Sequence, residues 1–331
     1  MPARSKVLIA DFLRDDSVER PVLGDVADIV VAGASHESEL APHLGDADAL
    51  ILFHDIARMT DATFAAAPRC RVVVRAGVGY NNVDLEAAGR RGIAVCNVPD
   101  YGTEEVADHA ILLLLAVTRH LRASDASIRE GRWDYLVGRE TSRLRGKTLG
   151  LVGCGRIGTA TAIRAKAFGL DVAFYDPHVP SGLDKALGIR REFRLESLLE
   201  SSHFVSLHCF LDDRSHHLID AATLARMRPG AILINTARGP IVDQEALIAA
   251  LESGHLLGAG LDVFEREPLD DPRLRDHPRV LLTPHSAFYS IEGFVELRTK
   301  AAEEVCRVLR GEPPHNLVNG PMLVDRRTTG A

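Results

Sequence analysis

The chain has 331 residues, 46% of them hydrophobic and 26% charged, with a formal net charge of −7, a balance that fits a globular protein long enough for two domains. The negative charge disfavours a nucleic-acid surface, and the longest apolar run, AILLLLAV at 110–117, is far too short to span a bilayer. The five cysteines (Cys70, Cys96, Cys154, Cys209 and Cys306) form no CxxC pair and sit mostly in apolar runs. Reduced core thiols in a cytoplasmic protein are therefore expected, and the short VLIA stretch cut off by Asp11 does not read as a signal peptide.

The first hundred residues alternate strand-like and helix-like segments. Short Val- and Ile-rich runs at 6–12, 27–33, 49–54, 71–77 and 93–98 read as strands, with helix-like stretches such as TDATFAAAP and NVDLEAAGRRG between them. This alternation predicts parallel βαβ units. Residues 103–122 read as one long helix capped by Thr103, with a wide apolar surface suited to a domain junction or a subunit interface. Trp133 and Tyr135 beyond it read as a packed connector rather than a binding platform. A second alternating series follows, with strands at 148–152, 171–175, 203–207, 231–235, 257–262 and 279–282, the pattern of a doubly wound dinucleotide-binding domain. A last helix at 289–311 is expected to return to the first domain.

Gly153, Gly155 and Gly158 have GxGxxG spacing between a strand and a helix. The first glycine makes a turn, the second admits a pyrophosphate, and the third allows close helix–strand contact, while the helix N-terminus offers free amides to phosphate. The next strand ends in Asp176, 18 positions beyond Gly158. A carboxylate there accepts from a ribose hydroxyl and repels a 2′-phosphate, which points to NAD, although His178, Arg190 and Arg191 leave NADP open.

Arg238, Glu267 and His285 each follow a strand of this second series, and ligands bind beyond the carboxyl ends of such strands. A guanidinium grips a carboxylate through paired hydrogen bonds. An imidazole exchanges a proton with a carbonyl oxygen as hydride moves, and a neighbouring carboxylate fixes its tautomer. The histidines of HCFLDDRSHHL (208–218) match no tetrahedral metal set, and no metal is expected.

The chain resembles the D-isomer-specific 2-hydroxyacid dehydrogenase family in RAGVGYNNVDLEAAGRRGIAVCNVP, GCGRIG, NTARGPIVDQEALIAAL, GAGLDVFEREP and TPH. VCNVPDYGTEEVADHA, SLHC, HHLI and HSAFYS look most like its C-terminal-binding-protein branch. The resemblance implies α/β architecture with two Rossmann-like domains: a flavodoxin-like substrate domain (1–101 and 288–320) interrupted by a doubly wound NAD-binding domain (102–287), with a tail at 321–331. It implies an NAD-dependent oxidoreductase (EC 1.1.1.-) interconverting a 2-oxo acid and its D-2-hydroxy acid. Arg238 would hold substrate, His285 act as acid/base and Glu267 orient His285.

Further implied contacts are Arg75, Gly77, Val78, Gly79 and Phe288 to substrate, shared with Arg238 and His285. Cofactor contacts are implied at Thr103, Gly153, Gly155, Arg156, Ile157, Gly158, Asp176, Thr236, Ala237, Arg238, Asp262 and His285. Tyr101, near the presumed crossover, is a candidate substrate contact. A homodimer through the NAD-binding domain is the family habit, and no nucleic acid or membrane partner is implied.

The chain departs from the family pattern in carrying Asn81-Asn82 where Asp-Asn is usual, and Phe288 where the branch commonly has Trp. Formate dehydrogenases of this superfamily carry Gln where Glu267 stands, so that activity is not expected. The alternatives are an NAD(H)-sensing scaffold of the corepressor kind and a phosphoglycerate or hydroxypyruvate dehydrogenase. The lack of a long tail after residue 320 and of a basic localisation run favours an enzyme over the scaffold.

Overall fold

Alternation along each strand explains the layers. In the strand Ala231–Asn235, Ile232 and Ile234 face one apolar layer, while Ala231 and Leu233 face the other. A strand buried on both faces belongs to a parallel sheet covered by helices on either side. The structure, a computed structural model, describes residues 4–324.

Among the described residues twelve strands form two sheets, all parallel: β1 Ser5–Asp11, β2 Ala27–Ala34, β3 Ala49–Leu52, β4 Val72–Arg75, β5 Ala94–Asn97, β6 Thr148–Val152, β7 Asp171–Tyr175, β8 Arg190–Glu192, β9 Phe204–Leu207, β10 Ala231–Asn235, β11 Leu256–Leu261 and β12 Val280–Leu282. The chain divides into two units, Met1–Gly102 with Ser290–Ala331, and Thr103–Tyr289.

The first unit holds a five-stranded sheet in the order β2-β1-β3-β4-β5, the flavodoxin-like arrangement. The helix Ile291–Leu309 packs on β3 and β4. Its Arg298 and the fully buried Glu19 form a bidentate pair at 2.7 and 2.8 Å, a desolvated couple that is costly to break on one side only. Asn319 closes the edge by hydrogen bonding to Val95 N and Ile93 O. Of the expected tail at 321–331, residues 325–331 lie outside the described residues.

The second unit holds a seven-stranded sheet in the order β12-β11-β10-β9-β6-β7-β8. The helices Thr103–Thr118 and Arg156–Ala167 cover one face; Leu195–Ser201, Ala221–Arg226 and Gln244–Glu252 cover the other. Strand order reverses between β6 and β9, the switch point where such sheets bind ligands. Among the described residues no helix is long and apolar enough to cross a membrane.

Three expectations need correction. The stretch 103–122 is two helices, Thr103–Thr118 and Leu121–Arg129, broken where His120 adopts φ 51°. A left-handed residue ends a helix whatever its type, and histidine there carries none of the usual glycine signal. Thr103 is the first helical residue rather than the cap before it. Trp133 and Tyr135 are not packed: they are 94% and 89% exposed, because the segment they occupy runs over the surface. A further strand, β8, went unpredicted; Arg190-Arg191-Glu192 is a charged edge with none of the apolar pattern of the inner strands.

Candidate active site

The three loop glycines do three different things. Gly153 has φ 94°, and a Cβ there would meet Cys209 N and the His208 carbonyl carbon at 2.6 Å. At Gly158 a Cβ would overlap the Gly153 carbonyl oxygen. At Gly155 it would meet nothing within 4 Å, so the backbone is bare on the side from which a pyrophosphate approaches. The helix Arg156–Ala167 starts directly after, with Arg156 exposed and Ile157 half-buried. Its free amides complete an anion cradle, and these residues fit a dinucleotide.

Asp176 stands beside this loop at the end of β7. Its Oδ2 accepts from Cys154 N and its Oδ1 from His178 N, both at 2.8 Å. Arg191, the nearest candidate for a 2′-phosphate, donates to the carbonyls of Asp176, Val179 and Pro180 at 2.9, 3.2 and 3.3 Å. Arg190 pairs with Glu192 at 3.1 Å. Both cations are thus committed elsewhere. Across the switch point, burial pushes the His208 imidazole down to about 4, so it stays neutral and bonds Ser206 Oγ at 2.9 Å.

Arg238 lies in the loop after β10, and a residue that the sequence did not single out holds it there. Asn235, buried at the strand's end, donates from Nδ2 to Arg238 O at 2.9 Å and accepts Ala237 N on Oδ1 at 3.0 Å. Gly239 follows for a steric reason: a Cβ there would overlap the backbone at Phe264 and Glu265. The Arg238 loop therefore presses directly on the loop after β11. The guanidinium is half-buried and donates from Nη1 to Ala237 O at 2.6 Å. Thr236, between Asn235 and Ala237, is buried, and its Oγ1 has no hydrogen-bond partner.

His285 meets Glu267 in that neighbourhood, with Nδ1 2.8 Å from Oε2. Glu267 Oε1 accepts from Phe264 N at 3.0 Å. Burial works to raise the Glu267 carboxyl, but the hydrogen bond and charge of His285, the Phe264 amide and the charge of Arg238 together hold it below the ordinary carboxylate range. The carboxylate is therefore ionised at neutral pH and only accepts, so His285 Nδ1 carries the proton between them. The opposite nitrogen, Nε2, is not engaged by Glu267.

A second network shapes the His285 turn, where φ is 52°. Asp262 is 1% exposed; Oδ1 accepts from Thr283 Oγ1 at 2.6 Å and Ser286 N at 2.9 Å, and Oδ2 from Ala287 N at 2.9 Å. Thr283 Oγ1 also lies 2.9 Å from His109 Nε2. The resemblance placed a cofactor contact at Asp262; the carboxylate's visible role is to brace the turn that presents His285. Thr283 and His109 escaped the sequence reading because they serve a carboxylate far away in the chain. Phe288 follows, half-buried and edge-on to Tyr289.

In the first unit, β4 ends at Arg75, whose Nη1 donates to Ala76 O at 2.9 Å. Gly77, at φ 146°, has a backbone that other residues rarely adopt, and that guanidinium lies against it. Asn97, at the end of β5, donates to Val78 O at 2.7 Å, and Val98 N to Gly77 O at 3.1 Å. The loop Gly77–Gly79 is thus held by its neighbour strand much as Asn235 holds the Arg238 loop. Asn82 ties the following turn back to Phe53 O and Ile56 O, and Tyr101 is buried.

A family model described as "D-isomer specific 2-hydroxyacid dehydrogenase, NAD binding domain" matches residues 111–287. A glyoxylate reductase of Korarchaeum cryptofilum is 45% identical over 77% of this chain and 78% of its own length. A D-3-phosphoglycerate dehydrogenase of Methanocaldococcus jannaschii is 36% identical over 96% of this chain, which spans only 60% of that relative. Among solved structures, a D-lactate dehydrogenase from Aquifex aeolicus complexed with NAD and lactic acid superposes with a TM-score of 0.85 at 28% identity, covering 95% of this chain and 99% of the other.

Proposed function

The chain belongs to the D-isomer-specific 2-hydroxyacid dehydrogenase family, whose NAD-binding domain it carries, and on that premise we propose that it interconverts a 2-oxo acid and its D-2-hydroxy acid. One observation carries the reading: His285 and Glu267 pair at 2.8 Å, and Arg238 is close enough for its charge to act on the same carboxylate. An acid/base and an anion-holding cation thus share one patch beyond β10 and β11.

When bound, the nicotinamide supplies or accepts hydride. Arg238 holds the substrate carboxylate through its planar fork. His285 Nε2 gives a proton to the carbonyl oxygen during reduction and takes it back in the reverse direction. Glu267 keeps the ring oriented through its contact with Nδ1. Within the first unit, the Gly77–Gly79 amides and Arg75 are the substrate contacts that the family resemblance implies; within the second, Phe288 is one. The motifs SLHC, HHLI and HSAFYS support a place near the C-terminal-binding-protein branch.

NADH oxidation across pyruvate, glyoxylate, hydroxypyruvate and bulkier 2-oxo acids tests this reading. Turnover is expected on at least one of them. NADH binding without turnover on any would favour the scaffold reading instead.

Asp176 makes NAD the preferred coenzyme, since a 2′-phosphate beside a carboxylate is repelled and Arg191 is occupied by three carbonyls. Asp176→Ser is expected to shrink the NADH-over-NADPH ratio of kcat/KM by about tenfold or more. An unchanged ratio would show that Asp176 does not read the ribose.

The same reading includes a homodimer through the NAD-binding unit. Trp133, Tyr135, Leu136, Ile128 and Leu121 are exposed together on a short stretch of it, and apolar surface of that kind marks protein contacts. Among the described cysteines none is in a disulfide, which suits a cytoplasmic setting.

A further inference from the structure

The loop after β11 carries two glutamates, and the proposed chemistry uses one. Glu267 meets His285. Glu265 meets a second histidine, His217, whose Nε2 lies 2.8 Å from Oε1. The two histidines share a rare backbone, with φ 49° at His217 and 52° at His285. Left-handed conformations at residues other than glycine persist only where surrounding contacts over-determine them.

The contacts at His217 are those of a joint between loops. Its amide donates to Pro240 O at 2.8 Å. Two residues on, Ile219 N reaches Ile241 O at 3.0 Å and Ile219 O accepts Asp243 N at 2.9 Å. Glu265 Oε2 accepts Gln244 N at 3.3 Å. The segment after β9 is therefore stitched to the Arg238 loop by its backbone and to the Glu265 loop by the His217 side chain. The third side of the triangle is Gly239, which touches the backbone at Phe264 and Glu265. Arg238 adjoins one corner and Glu267 lies two residues from another.

We propose that His217 and Glu265 are a positioning pair that fixes Arg238 relative to Glu267, and through Glu267 relative to His285. The pair acts through the loops, not on substrate, and it rests on the dehydrogenase reading above. Its side chains are 34% and 37% exposed, where an ion pair adds little to global stability. Its effect is geometric, and small misplacements of a grip on substrate cost rate steeply.

The test compares His217→Asn, Glu265→Ala, their double variant and Glu265→Gln with the wild type on the best 2-oxo acid. Asparagine tolerates the left-handed backbone but is too short to reach Glu265, so it separates the lost contact from lost folding. His217→Asn and Glu265→Ala are each expected to lower kcat/KM about tenfold to a hundredfold, mainly through KM for the 2-oxo acid, with NADH affinity and melting temperature near those of the wild type. The double variant should be no worse than the poorer single one, because both remove one link. Glu265→Gln, which keeps an acceptor, should recover activity. Wild-type kcat/KM in both single variants, or additive losses in the double, would overturn the pair's role while leaving the dehydrogenase reading intact. A wild type that turns over no 2-oxo acid would overturn both.

Discussion

His285→Ala is expected to lower kcat by about a hundredfold to ten-thousandfold, the usual worth of a positioned acid/base, while NADH binds as it does to the wild type. The split follows from where the residue sits. The phosphate cradle is built from Gly153, Gly155 and the helix starting at Arg156, which alanine at 285 leaves untouched. His285 instead spends Nδ1 on Glu267 and the bracing of its turn on Asp262, an investment that serves the remaining nitrogen. Steady-state kinetics with fluorescence titration of NADH checks this. Turnover retained at the wild-type rate would remove His285 from the proton transfer.

Arg238→Ala should cost kcat/KM about a hundredfold or more. One charge-assisted hydrogen bond is worth about 1.5–3 kcal/mol, each 1.36 kcal/mol is tenfold, and a guanidinium makes two such bonds to a carboxylate. Arg238→Lys should recover little of the loss, since a point charge does not reproduce the fork. Cofactor affinity should change much less than substrate affinity. A variant with lost NADH binding and unaltered KM for the 2-oxo acid would reassign the residue to the coenzyme.

Much of this arrangement was legible before any coordinates. Buried parallel strands advertise themselves as Val- and Ile-rich runs, and both sheets emerge from them. The glycine loop was legible because its spacing follows from sterics: Gly153 and Gly158 have no room for a side chain, while Gly155 faces open space. Arg238, Glu267 and His285 stood out because all three follow strands of the unit that carries the glycine loop, and His285 and Glu267 do meet at 2.8 Å.

What the sequence hid depends on distant or unusual partners. Asn235 and Asn97 look like ordinary strand-end residues until the loops they hold are seen. The bracing role of Asp262 could not be seen because its three donors arrive 21 to 25 residues later. The break at His120 and the edge strand β8 lack the glycine and the apolar pattern by which such features are usually found.

The most direct test of the central claim is the chirality of the product when the wild-type protein reduces a prochiral 2-oxo acid with stoichiometric NADH. Arg238, Glu267 and His285 acting together predict one mole of D-2-hydroxy acid per mole of NADH consumed. A racemic or L product, or NADH that binds and is never oxidised by any 2-oxo acid, would contradict it.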